Sequence, residues 1–299
     1  MIAFVVVLVA IALALAWGLA GLLYPAWAAL SRRFPVAARG TLIVALLPAL
    51  LAVGVIAASV GPAWFESAFV CHSGPGWLHL CWCHPANALT LLPAAVVGLL
   101  ALLPGRLRVL RGLASPRGEG DGLRIVDLPR PGALLHGWLR PSVVVDRRLW
   151  EVLDEDGRAA LLAHEQAHID RRDPLVLLLL RAATVFAPEQ ARAALLRAWL
   201  ERAELRADAL AVRTIGDPLV VAEALLRCAR LQTGSPALAL SWSGGSVERR
   251  VRALLGEVPA DVSSRPDAGW WDALALAAVV AALVLASPGV HHHLEHLIN

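Results

Sequence analysis

Two histidines flank a glutamate in His164-Glu165-Gln166-Ala167-His168. The surrounding stretch, Ala159 to Ile169, is rich in helix formers and lacks Gly and Pro, so it predicts a helix. Positions i and i+4 share one helix face, which lets both imidazoles reach a single metal ion. Glu165 then stands beside the open coordination position, where a carboxylate can take a proton from water. Two His ligands and a Glu base are the arrangement of a metal hydrolase, and it calls for a third ligand elsewhere. A polar stripe on a surface helix would carry the same letters, so the pentapeptide alone does not decide.

A third ligand is available downstream. Trp199 to Leu210 is again helical in pattern and contains Glu204 and Asp208 at i and i+4. Glu204 can complete a His-His-Glu zinc site, and three protein ligands leave one position open for chemistry. Asp208 can accept the free ring N–H of a ligating histidine, which fixes its tautomer. The competing reading is a solvated charged face, with Glu201 as a rival ligand. Acyl chemistry at such a site also needs a donor for the developing oxyanion. The only tyrosine, Tyr24, lies at the end of an apolar run, which leaves His136 and Arg206 as candidates. Each has a plainer role open to it: His136 as a satisfied histidine ahead of Gly137, Arg206 as a surface residue or partner of Glu201. Asp170, Arg171, Arg172 and Asp173 read as a helix C-terminal cap with ion pairs.

A second cluster is built from cysteine and histidine. Cys71, Cys81 and Cys83 lie close to His72, His79 and His84, and the chain closes on His291-His292-His293-Leu294-Glu295-His296. A disulfide or a soft-metal site can be made from these groups. Cys228 stands apart in a helical segment and reads as core.

The elements that position these residues are largely membrane segments. Hydrophobic residues make up 58% of the 299, well above a soluble domain. Ile2 to Leu23, Thr41 to Val60, Pro85 to Leu103 and Trp271 to Ala286 predict four membrane-spanning helices. The first lacks a basic flank ahead of it and reads as a retained helix rather than a signal peptide. Pro174 to Ala187 is apolar but carries Arg181, and suits a core or interface-lying helix, with a re-entrant one also open. Arg32, Arg33 and Arg39 mark the first loop, and Arg106, Arg108 and Arg111 follow the third apolar run. The loop 61–84 has no basic residue. The positive-inside rule therefore puts the peptidase segment in the cytoplasm of a multi-pass cell-membrane protein, with both termini, loop 61–84 and the His-rich tail outside. The net charge of +3 is carried by arginine alone, and its clusters at membrane borders account for it without nucleic acid as a partner.

Three units follow: 1–104 with three membrane helices, 105–269 as the zinc domain, and 270–299 with the fourth helix and tail. The middle unit is mainly α with a small β element. Leu123 to Asp127 and Ser142 to Asp146 predict short strands, whose exposed edge could pair with an extended peptide. Helices are predicted over 148–153, 157–170, 174–187, 189–214, 218–231 and 247–255.

HEQAHIDRRD, the later Glu204-x-x-x-Asp208 and Glu248-Arg249-Arg250-Val251-Arg252-Ala253-Leu254-Leu255 resemble membrane-embedded zinc metallopeptidases of the gluzincin type. Leu135-His136-Gly137-Trp138 through Val145 resembles the stretch ahead of the zinc helix in one branch, the BlaR/MecR-like antirepressor peptidases. The other branch is the HtpX type with the CAAX prenyl proteases. The resemblance implies one catalytic Zn2+, ligands His164, His168 and Glu204, and Glu165 as base. It implies a protein substrate: a repressor, of winged-helix type, for the first branch, and membrane proteins under quality control for the second. Three spans before and one after the zinc domain fit the first. The few residues beyond the fourth helix leave no room for a penicillin-binding sensor domain. A non-enzymatic receptor with structural zinc is the remaining class, and Glu165 speaks against it.

Overall fold

The computed structural model describes residues 2–33, 38–60, 92–100, 122–232 and 244–257. The cysteine- and histidine-bearing loop 61–84, the run 271–286 and the tail lie outside the described residues.

Helix α1 (Ile2–Arg33) is one unbroken helix that continues ten residues past Leu23, through Pro25. Its window Val5–Ser31, 27 residues, is long and apolar enough to cross a bilayer. Helix α2 (Ala38–Val60) contributes a shorter apolar stretch, Gly40–Ile56. Among the described residues α1 is the one candidate span. Of the third apolar run, residues 92–100 are described; they form α3. The pairing of α1 with α2 is fixed by two polar contacts inside an apolar interface. The Tyr24 hydroxyl donates to the Ala45 carbonyl at 2.8 Å, and Trp27 Nε1 donates to Thr41 Oγ1 at 3.1 Å. Val7 and Leu8 of α1 pack on Ala95 of α3.

A three-stranded sheet follows, in the order β1-β3-β2. β1 (Leu123–Val126) lies parallel to the central strand β3 (Ser142–Asp146), and β2 (Ala133–His136) lies antiparallel to it. All five residues of β3 are buried, as its three valines require. The sequence reading contained β1 and β3 but not β2. Ala-Leu-Leu-His has little β propensity, and it becomes a strand because pairing with β3 outweighs that preference. Gly137, at φ +108°, turns the chain out of β2; a Cβ there would sit 2.8 Å from the Arg140 carbonyl oxygen. Asp146 ends β3 and caps α4 (Arg147–Val152), taking Arg148 N–H at 3.0 Å and Leu128 N–H at 2.8 Å.

Asp154 caps α5 (Glu155–Asp170), its carboxylate accepting from Gly157 N–H at 2.9 Å, and Glu155 and Asp156 complement the helix dipole. Arg172, a non-glycine residue at φ 56°, makes the sharp break into α6 (Asp173–Ala183). That helix stops at Ala183 rather than Ala187. Thr184 Oγ1 bonds back to the Leu180 carbonyl at 2.7 Å, and Pro188 forbids continuation. Then come α7 (Glu189–Ile215), α8 (Pro218–Gln232) and α9 (Gly244–Leu254).

Helix α7 belongs to two cores. Ala191, Leu195, Leu196, Trp199 and Ala203 pack with Ala20 and Tyr24 of α1, Val44 and Ala45 of α2, and Leu180 of α6. Ala211 joins the other core, in which β3, α4, α5 and α8 meet around Val145, Leu149, Leu161 and Val221. Glu204 and Asp208 lie along α7 between Ala203 of the first core and Ala211 of the second.

Candidate metal centre

The helix spacing puts His164 and His168 one turn apart on α5, and α7 crosses them with Glu204. Single ligand atoms from these three residues lie within 4.8 Å of one another. The two Nε2 atoms are 3.2 Å apart, and Glu204 Oε2 and Oε1 lie 3.4 Å and 3.7 Å from His164 and His168 Nε2. Both rings are buried, while the Glu204 carboxylate is 21% exposed.

Each histidine is oriented by a second carboxylate. His164 Nδ1 faces Asp208 Oδ1 at 2.9 Å, and His168 Nδ1 faces Asp173 Oδ2 at 2.7 Å. With protons on both Nδ1 atoms, both Nε2 lone pairs point inward at each other and at a carboxylate. Such convergence is repulsive unless a proton or a cation lies between them. Tetrahedral zinc with Zn–N of about 2.0–2.1 Å separates adjacent ligand nitrogens by about 3.3 Å, close to the spacing here. The donor set of two imidazoles and one carboxylate also matches catalytic zinc, so the residues fit the ion.

Behind this group stands Arg250 of α9. It donates through Nε and Nη2 to Asp208 at 2.6 Å and 2.7 Å, a buried bidentate pair. Its Nη1 is 2.8 Å from Glu204 Oε2, an ion contact. One guanidinium thus holds two carboxylates that belong to the site.

The electrostatics follow from this crowding. Burial favours a neutral His164, but hydrogen bonds to Asp208 and Glu204 outweigh it and push its pKa up to about 10. The negative field that keeps a proton there is the field a divalent cation would meet. Burial also works against an ionised Glu204, yet the charge of Arg250 and the histidines bring it down to about 2. Glu165 is buried, and its carboxyl is raised above the usual range by burial, partly offset by the charges of His164 and His168. A carboxylate so raised is a stronger base, better suited to accept a proton from water.

His136 closes β2, which packs against α5; it is half-buried and its ring has no ion pair with the triad. Arg206 is half-buried on α7. The rival ligand Glu201 is not in the group: it accepts from Arg249 at 2.5 Å. Cys228 is buried, as read, and burial pushes its thiol up to about 12. Cys71, Cys81 and Cys83 lie outside the described residues. Two residues of the site carried no such role in the sequence reading. Asp173 reads in the sequence as part of a cap, whereas it is buried against His168. Arg250 enters the sequence reading only as a letter of the family resemblance.

Residues 120–188 match the model of peptidase family M48. That segment, under half of the chain, holds the sheet, α5 with both histidines, and α6 with Asp173. Glu204, Asp208 and Arg250 fall beyond it and are joined to it by geometry alone. No curated protein and no solved structure matches the chain. The match and the His-His-Glu group together support a zinc-dependent metallopeptidase, one whose chain carries an apolar helix compatible with membrane association.

Proposed function

We propose that this chain is a membrane-bound zinc metalloendopeptidase in which His164, His168 and Glu204 hold the metal and Glu165 is the base. The observation that carries the reading is the convergence of three ligand atoms beside a buried glutamate, with both histidines and that glutamate on the segment that matches a metallopeptidase family. Zn2+, when bound there, supplies Lewis acidity to water and to the scissile carbonyl. Glu165 accepts the proton of the attacking water and delivers it to the leaving amine. Asp173 and Asp208 keep both histidines presenting Nε2, and Arg250 keeps Asp208 and Glu204 ionised. The edge of β2, next to α5, is where an extended peptide would add as a strand. His136 at its end and Arg206 on α7 are the oxyanion donors we favour.

The finer reading is regulated cleavage of a winged-helix repressor at the cytoplasmic face of a four-span protein with both termini outside. Its support is the order of apolar runs, three before the zinc domain and one after, and the arginines that border them. HtpX-like quality control of membrane proteins is the competing reading. Comparing new protein N-termini in cells carrying the wild-type chain and Glu165→Ala separates them. Wild-type-dependent cleavage within a repressor supports the first reading. Cleavage spread over membrane proteins supports the second, and no difference between the strains contradicts both.

A further inference from the structure

Helix α6, the turn 184–188 and the first turns of α7 form a corner with an unusual neighbour. Their packing is not on the sheet: α7 packs on the candidate membrane span α1, and α6 on its neighbour α2. The α1 members of their shared core, Ala20, Leu23, Tyr24 and Trp27, all lie inside Val5–Ser31. A Cβ on Gly21 would touch Pro188 Cγ at 3.6 Å, so the tip of the corner stands level with Gly21. Among the described residues, the outer side of the same corner exposes two large apolar side chains, Leu179 at 45% and Phe186 at 46%, between half-buried Arg181 and the exposed Glu189 and Gln190, while Leu180 and Ala187 face inward.

The depth of the tip can be reckoned from α1. A span of 27 residues is about 40 Å long, against about 30 Å of hydrocarbon, leaving about 5 Å over at each end. Gly21 precedes Ser31 by ten residues, about 15 Å, and so lies about 10 Å below the hydrocarbon surface. We infer that the α6–α7 corner is a membrane-inserted wedge of the peptidase domain, with Leu179 and Phe186 in contact with acyl chains. The inference rests on reading α1 as a membrane span.

Two further features fit a shallow wedge rather than a crossing. Helix α6 has 11 residues, about 16 Å, half of what a span requires. The first charges beyond the tip, Glu189 and Arg192, neutralise each other in a bidentate pair at 2.6 Å and 3.1 Å. A paired charge about 10 Å deep is tolerated far better than a lone one at the bilayer centre. The other end of α6 is Asp173, bonded to His168. The wedge therefore fixes the metal centre within one short helix length of its own tip, close to the membrane surface.

The test uses the full chain reconstituted in phosphatidylcholine vesicles whose acyl chains are brominated. A fluorescent amino acid is placed singly at Phe186, at Leu22 of α1 (78% exposed) and at Leu219 of α8 (62% exposed). The wedge predicts that bromolipid quenches the Phe186 probe several-fold more than the Leu219 probe, and that aqueous iodide does the reverse. Quenching of Leu22 but not Phe186 by bromolipid overturns the wedge and leaves α1 as a span. Failure at Leu22 as well overturns the membrane reading on which it rests. Self-quenching at Phe186 that grows with protein-to-lipid ratio, without bromolipid quenching, assigns the face to a second copy and also overturns the wedge.

Discussion

On the proposed reading, His164 and His168 are set as ligands by the ring atoms that face away from the metal. Each Nδ1 is taken by a buried carboxylate, so the Nε2 lone pair is the group left to offer. Asp173→Ala and Asp208→Ala should each weaken zinc binding by about 10–100-fold while stoichiometry at saturation stays at one, read by competition with a chelating dye. Unchanged affinity in both would mean that the rings are oriented by packing alone. Arg250→Ala leaves Asp208 buried without its counter-charge and should cost about 3–5 kcal/mol, seen as a lower denaturant midpoint. The pairing of His164 with His168 was legible, because i and i+4 on a helix are neighbours wherever that helix goes. Asp173 was not, because Arg172 in a left-handed conformation breaks the helical register between it and His168. Arg250 was not, because its bond to Asp208 spans 42 residues and depends on how α9 docks.

At the scale of elements, runs of helix formers between Gly and Pro give the helices between 147 and 254 to within a few residues, because propensity and breakers are local chemistry. Helix α5 starts two residues ahead of the expected 157, where Asp154 caps it. Strand β2 escaped notice because its letters favour a helix and only its neighbour makes it a strand. The turn that follows it is exacting. Gly137→Ala combines an unfavourable φ with a Cβ 2.8 Å from a backbone oxygen. It should destabilise the protein by about 1–3 kcal/mol, with the midpoint lowered and the denaturant slope unchanged. A wild-type midpoint would show that the turn can rearrange without cost. Helix α6 was read four residues too long because apolar content alone does not reveal the turn that Thr184 and Pro188 impose.

For the whole molecule, α7 joins the apolar core around the candidate span α1 to the group of candidate metal ligands. Leu195 packs among the residues of α1 and α2, and Glu204, nine residues on, reaches the metal group; the interval is about 14 Å of one helix. Such a joint was invisible in the sequence, where α7 is a helix with apolar residues on more than one side. The arrangement of the spans is a prediction of its own. A membrane-impermeant thiol reagent applied to intact cells should label Asn299→Cys and spare Ser115→Cys, both in a background without the native cysteines. Labelling of Ser115→Cys would place the zinc domain outside.

The central proposal is that a metal sits among His164, His168 and Glu204 with Glu165 free to act as base. The direct measurement is zinc content and peptide hydrolysis on the same preparation of Glu165→Ala, beside the wild-type chain. The account predicts one zinc per chain in both, with hydrolysis in the variant reduced by about 100-fold or more. Full hydrolysis in Glu165→Ala, or a wild-type chain that binds no zinc, would contradict it.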